Sequence, residues 1–454
     1  MQAKKRWYNI GVLGAGESGL GAALLAAKQG LKPFVSDKNN LSEKALKTLD
    51  EAGIRWEQGK HTLAFLQGCD LVVKSPGIPE NAAVVAALRE AGTPILSEIA
   101  FAAHFAEAKK IIAITGSNGK TTTTGLTAHL LQSAGVRAVA AGNIGKSFAR
   151  VLAEGQEFDY YVLEVSSFQL DDAPDFRAHL AALLNITPDH LDRYGRQLMR
   201  YAFAKFGVAA GQTRDDYFLY HADDFYTQQF LSAFAKRNPL QAKQLVLHLP
   251  EDCTEQALAV EGHRYDLTGS GLLGKHNLLN ALFAIRMVLL LGLSPEQIQR
   301  GLDSFRNAPH RLERVAEIRG VLFINDSKAT NVDAVRYALD AMDRPIIWIA
   351  GGTDKGNDYS LLKALVKDKV KALVCLGRDN EKLKKSFADV LDEEVVFESC
   401  STDEALACSM AVAQEGDVVL LSPACASFDL FENYEDRGNR FKQSVRQLLT
   451  PEKS

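Results

Sequence analysis

Thr115-Gly116-Ser117-Asn118-Gly119-Lys120-Thr121-Thr122 decides how this chain is read. Ahead of it, Lys110 to Thr115 is a basic residue followed by an apolar, strand-like run, and a helical stretch follows it. Glycines between a strand and a helix let backbone N–H groups close on phosphate oxygens, and the helix N-terminus adds its dipole. Gly116, Ser117, Asn118 and Gly119 form that loop, Lys120 is placed to neutralise β/γ phosphates, and Thr121, followed by Thr122, is placed to ligate Mg²⁺. The spacing between the first glycine and Gly119-Lys120 is shorter than in the usual P-loop. A glycine-rich turn with a solvated lysine is the plain alternative, and the strand and helix on either side argue against it.

Outward from the loop, Asp159–Glu164 reads as a strand ending in a carboxylate, where Glu164 could hold the magnesium. Val136–Ala140 and Ala181–Asn185 read as further strands of the same sheet, and the second runs into Asn185-Ile186-Thr187-Pro188-Asp189-His190. That puts Asp189 and His190 at the carboxyl edge, where ligands bind in open α/β sheets; a strand-end histidine is as readily structural as functional. The stretch 212–261 is poorly periodic and yields no assignment, and a strongly apolar helix returns over Asn277–Leu291.

Upstream, strands are expected at Tyr8–Leu13, Pro33–Ser36 and Asp70–Lys74, with a helix over Leu20–Gln29. Gly14-x-Gly16-x-x-Gly19 with Asp37 about twenty residues on matches a dinucleotide fingerprint. It would serve NAD, FAD or the diphosphate of another nucleotide, or it is a plain tight turn. Downstream, strands at Val321–Asn325, Ile346–Ala350, Ala372–Leu376, Val395–Phe397 and Val418–Leu421 form another doubly wound pattern. Three polar clusters, Asn325 to Asn331, Gly351 to Gly356 and Ser422 to Asp429, follow strands of that one sheet and point to a small polar substrate there.

The 454 residues suit three α/β domains, placed at 1–107, 108–308 and 309–454. The outer two are expected to be Rossmann-like and the central one a P-loop-type, mostly parallel sheet. A net charge of −4 gives no basic field for nucleic acid or anionic lipid. No apolar stretch approaches a membrane span, no signal peptide is visible, and the six cysteines show no C-x-x-C spacing, so a cytoplasmic protein with reduced thiols is expected.

In combination, the Thr115–Thr121 loop, Asn185-x-x-x-Asp189-His190, Gly274-Lys275-His276-Asn277-x-x-Asn280-Ala281 and Asp326-Ser327-Lys328-Ala329-Thr330-Asn331 resemble the Mur ligase family over nearly the whole chain. Gly14-x-Gly16-x-Ser18-Gly19, Ser75-Pro76-Gly77-Ile78 and Ser422 to Asp429 point to its D-glutamate-adding members. The resemblance implies an ATP-dependent amide ligase, with two Mg²⁺ ions, joining D-glutamate to UDP-N-acetylmuramoyl-L-alanine through an acyl phosphate. The alternatives are another amino-acid specificity within the family or, from a different class, a P-loop nucleotide switch. It implies UDP contacts at Ser18, Asp37 and Ser75, a substrate contact at Asn143, and metal roles for Thr121, Glu164, His190 and Lys205 as its carbamate. It implies nucleotide contacts at Asn277, Arg311, Asp326 and Lys328, and an amino-acid pocket at Thr330, Lys355 and Ser427. Tyr434 stands where such members more often carry Phe, and Lys38 follows Asp37 where others differ. A monomer closing about a hinge near 308 is expected.

Overall fold

The computed structural model describes residues 7–449 except 252, 255, 273 and 308 and Lys355. Three α/β sheets follow one another along the chain. The first comprises β1 (Asn9–Leu13), β2 (Lys32–Asp37), β3 (Arg55–Gln58), β4 (Leu71–Lys74) and β5 (Ile95–Ser97). It is parallel throughout, in the order β3-β2-β1-β4-β5. The helix after β1 spans Glu17–Lys28 and starts three residues earlier than expected, because Gly16 serves as its N-cap. Gly19 lies inside that helix, where a Cβ would collide with the Gly14 carbonyl oxygen. The glycine therefore allows helix and turn to pack directly against each other.

The second sheet comprises β6 (Ile111–Thr115), β7 (Ala138–Gly142), β8 (Tyr160–Glu164), β9 (Leu180–Leu183), β10 (Tyr217–His221) and β11 (Lys243–Leu247). Its order is β11-β10-β9-β6-β8-β7, again all parallel. Every residue of β6 is buried, as expected of a central strand covered on both faces. β6 lies between β9 and β8, so the loop leaving β6 is flanked by the ends of both. The stretch 212–261, unassigned from sequence, holds β10, a helix over Phe225–Arg237, β11 and the start of a short hairpin of β12 (Ala257–Val260) and β13 (His263–Asp266). β11 is an edge strand of mostly exposed residues and the helix has few buried positions, so neither carries a clear apolar rhythm.

The third sheet comprises β14 (Glu313–Ile318), β15 (Val321–Asn325), β16 (Ile346–Gly351), β17 (Val370–Leu376), β18 (Val396–Ser399) and β19 (Val418–Ala424), in the order β14-β15-β19-β16-β17-β18. β14 pairs antiparallel with β15, and the other pairs are parallel. β15, β19 and β16 are neighbours, which gathers at one edge the polar clusters that follow them. The chain forms two compact units, one built around the first two sheets and one carrying the third. Among the described residues, no helix is long and apolar enough to cross a membrane.

Candidate active site

At the end of β6 the chain turns through Gly116 to Gly119, with Gly119 in a left-handed conformation (φ 84°) as N-cap of the helix Lys120–Ser133. A Cβ on Gly119 would overlap Asn280 Oδ1, so this position needs glycine for its φ and for its neighbour. The loop is stitched to the end of β9. Asn118 N–H donates to Asn185 Oδ1 (2.9 Å), Ser117 N–H to the Asn185 carbonyl (3.0 Å), and Thr187 N–H to Ser117 Oγ (2.9 Å). Asn185 therefore does more than close a strand.

Lys120 Nζ donates to the carbonyls of Gly116 (2.8 Å) and Ser117 (2.9 Å), curling back over the loop. Thr121 Oγ1 donates to Glu164 Oε2 (2.6 Å), and Asn143 Nδ2 donates to Glu164 Oε1 (3.0 Å). The structure thus brings together loop, hydroxyl, carboxylate and Asn143 at one sheet edge; Thr122, also buried, is in the first helical turn.

Lys205, on the helix Leu198–Phe206, reaches the same loop from below. Its buried Nζ donates to the Gly116 carbonyl (2.7 Å) and lies 4.5 Å from the centre of the Tyr201 ring. Burial, and then the nearby charge of Lys120, push its ammonium well below the usual lysine range. Tyr201, whose hydroxyl is 3.0 Å from Ser117 Oγ, carried no signal in sequence beyond an aromatic on a helix. His190 follows the Thr187 turn with φ 52°; its Nε2 is 3.5 Å from Asp189 Oδ2 and its ring meets Phe168 edge-on at 5.1 Å.

In the first sheet, β1 lies between β2 and β4, so the ends of all three converge. They frame a cavity of about 700 Å³ lined by Gly14, Gly16, Ser18, Asp37, His61 and Ser75 among others. Asp37 accepts Ala15 N–H at Oδ2 (2.8 Å) and Asn39 N–H at Oδ1 (2.9 Å), which ties β2 to the glycine turn. The buried Ser75 Oγ has no hydrogen-bond partner among the described residues, leaving it able to meet a ligand. His61 was not legible in sequence because β3, the short polar edge strand before it, was not. Its Nδ1 is 2.7 Å from Ser36 Oγ.

In the third sheet, Asp326 is buried. It accepts Leu312 N–H at Oδ1 (3.2 Å) and Ser422 Oγ–H at Oδ2 (2.9 Å), and burial pushes its carboxyl up to about 7 although Arg311 opposes the shift. Buried Arg437 donates to Ser327 Oγ (3.0 Å) and to the carbonyls of Ser327 (2.9 Å) and Cys425 (3.2 Å). One guanidinium thus fixes the loops after β15 and β19 against each other. Lys328 Nζ lies 5.0 Å from the centre of the Tyr434 ring, and Ser427 is buried in the loop after β19. Thr330 N–H closes a turn on the Lys328 carbonyl (2.9 Å), and Asn277 is buried in the first turn of the helix Lys275–Leu290. Lys355 lies outside the described residues.

Family models match along the chain in the same order as the sheets. They are the Mur ligase MurD-like N-terminal domain over residues 8–97, the Mur ligase middle domain over 114–288, and the Mur ligase glutamate ligase domain over 310–425. A UDP-N-acetylmuramoylalanine--D-glutamate ligase of Christiangramia forsetii is 45% identical, covering 97% of this chain and 99% of that protein. One from Bacteroides fragilis is 47% identical over the same shares. Among solved structures, UDP-N-acetylmuramate-alanine ligase from Thermotoga maritima shares the fold at a TM-score of 0.60 with 20% identity, covering 97% of this chain and all of that one. MurF from Acinetobacter baumannii does so at 0.61 with 18% identity, covering 97% and 93%. The phosphate loop stitched to Asn185, the Thr121–Glu164 pair and similarity to these relatives over nearly the full length lead to one conclusion: the chain belongs to the Mur ligase family, with a first domain of the MurD-like type.

Proposed function

We propose that this ligase joins D-glutamate to UDP-N-acetylmuramoyl-L-alanine, converting ATP to ADP and phosphate, in peptidoglycan precursor synthesis. The observation that carries the reading is the grouping of Lys120, Thr121 and Glu164 at the carboxyl edge of the central sheet, in the same compact unit as the cavity beside Ser18 and Ser75. The relatives' shared name gives the amino acid and the nucleotide.

The substrate carboxylate attacks the γ-phosphate of ATP, ADP leaves, and an acyl phosphate forms. The amine of D-glutamate attacks the acyl carbon, and phosphate departs with a carboxylate oxygen. Lys120 turns from the loop carbonyls to the phosphate oxygens and offsets charge in transfer, while the loop N–H groups hold the ATP tail. Asn143 orients Glu164 and stands ready to contact substrate.

Thr121 and Glu164 fit a magnesium ion: a hydroxyl and a carboxylate stand 2.6 Å apart. Among the described residues no cluster of three or more His, Cys, Asp or Glu side chains stands at metal-binding distance, so phosphate oxygens and water would complete the shell, as Mg²⁺ prefers. Bound there, it would neutralise phosphate charge. His190 and Lys205 are assigned to a second ion. The neutral amine that burial favours at Lys205 is the form that adds CO₂ to become a carbamate. Ser18, Asp37 and Ser75 hold the UDP; Asn277, Arg311, Asp326 and Lys328 contact ATP; Thr330, Lys355, Ser427 and Tyr434 bind D-glutamate. Domain boundaries are assigned near 107 and 308, in a cytoplasmic monomer.

The test is ADP formation with the uridine substrate present and D-glutamate, L-alanine or a diamino acid supplied in turn. D-Glutamate alone should support turnover. Turnover only with another amino acid would move the specificity within the family, and ATP hydrolysis indifferent to both substrates would favour a nucleotide switch.

A further inference from the structure

Three residues beyond His190, within the short 3-10 turn Leu191–Tyr194, Arg193 reaches from the central sheet to the first. Its Nη1 donates to the Pro76 carbonyl (3.0 Å) and its Nη2 to the Ile78 carbonyl (3.2 Å). Pro76 and Ile78 line the cavity beside Ser18 and Ser75. Cζ of the same guanidinium lies over the Phe168 ring, 4.0 Å from its centre. Phe168 in turn meets the His190 imidazole edge-on, at 5.1 Å between ring centres, and stacks on Tyr194 at 5.9 Å.

The contacts continue to the phosphate loop. Tyr194 Oη donates to Asp171 Oδ2 (2.8 Å), the Tyr194 ring packs on Tyr201 at 5.5 Å, and the Tyr201 hydroxyl is 3.0 Å from Ser117 Oγ. His190 holds a left-handed backbone (φ 52°), a conformation that a non-glycine residue keeps only where its surroundings hold it.

We propose that Arg193 is a positioning residue that sets His190 by reference to the cavity loop 75–78, so that filling the cavity and placing the imidazole are coupled. The coupling runs through the guanidinium fork on two carbonyls and through the Phe168 ring between Arg193 and His190. A lysine could reach one carbonyl but could not span both and stack on the ring. The inference rests on the reading of the cavity as the UDP site.

The experiment uses the full-length protein with ring-labelled histidine and UDP as the probe. His61 lines the cavity and reports that it is filled; His190 reports its own placement. In the parent, UDP should shift both ring signals. In Arg193→Lys and in Phe168→Leu, UDP should still shift the His61 signal and bind by calorimetry, while the His190 response is lost. In the same variants kcat should fall about ten- to a hundredfold, the cost of a displaced catalytic group, with KM for ATP unchanged. A merely structural arginine would lower Tm and leave the His190 response intact; that result in Arg193→Lys, with kcat preserved, would overturn the inference and leave the cavity reading standing. If UDP shifts neither signal in the parent, the cavity reading falls and takes the inference with it.

Discussion

Two glycine turns in this molecule share a backbone plan and differ in what surrounds them. The turn after β1 and the loop after β6 each leave the middle of a parallel sheet, bend through a positive-φ glycine (Gly14 and Gly119) and enter a helix. The first opens onto a cavity of about 700 Å³ whose acid, Asp37, accepts two backbone N–H groups. The second is closed over by Lys120 and faces a hydroxyl–carboxylate pair. A βα turn supplies N–H groups and a helix dipole in both cases. On the function proposed above, the side chains at neighbouring strand ends decide whether the turn would hold a phosphate or activate one.

The sharpest way to break that comparison is Lys120→Ala. Turnover should fall about a thousandfold, as when a group that stabilises transferring charge is removed, with the thermal transition nearly unchanged. Equal loss of activity and of folded protein would give Lys120 a structural role. Next comes a matched pair of glycine substitutions. Gly119→Ala meets both a φ of 84° and Asn280, and should cost about 1–3 kcal/mol with loss of ATP affinity. Gly16→Ala has an ordinary φ of −77° and open space around the added methyl, so Tm should stay within about a degree. Similar Tm losses in both would refute the distinction.

Asp37→Asn puts an amide N–H against one of the two backbone N–H groups that the carboxylate now accepts. KM for the uridine nucleotide should rise about tenfold with kcat held, from a lost hydrogen bond and an unmatched donor. A fall in kcat at unchanged KM would place Asp37 in the chemistry.

The smallest effect concerns the contact between the first two sheets. Glu98 is buried and accepts Ala149 N–H (2.5 Å). Burial pushes its carboxyl up to about 8 from its ordinary 4.5, against the Ala149 hydrogen bond and helped by Glu17. The folded state therefore holds the proton more tightly than the unfolded state. That stabilisation is full below about pH 4.5 and is lost as pH rises through about 8. Glu98→Gln should gain a few degrees in Tm relative to the parent on going from about pH 5 to about pH 9. A pH-independent difference would contradict this.

Many of the strands were readable in the sequence. β6, β8 and β15 announce themselves as apolar runs followed by chemistry-bearing residues, and Thr121 and Glu164, at the ends of the first two, lie 2.6 Å apart. Most of the missed elements are short or weakly apolar; β10, which is apolar, was passed over with the poorly periodic stretch around it. β3 is four residues of largely polar edge, β5 is three residues long, and β14 is a charged antiparallel edge. With β3 went His61, and with the fold of the 190–196 turn went Arg193, whose partners lie more than a hundred residues away. The hold of Arg437 on Ser327 and Cys425 depends on β15 and β19 being neighbours, which no local pattern states.

The claim on which the rest depends is that the substrate's own carboxylate is phosphorylated at the central loop. UDP-N-acetylmuramoyl-L-alanine carrying ¹⁸O in its terminal carboxylate tests it directly, with D-glutamate and ATP present and the released phosphate analysed by mass. Transfer of one labelled oxygen to each phosphate is the predicted result; phosphate without label, formed at the same rate as the amide, would contradict the account.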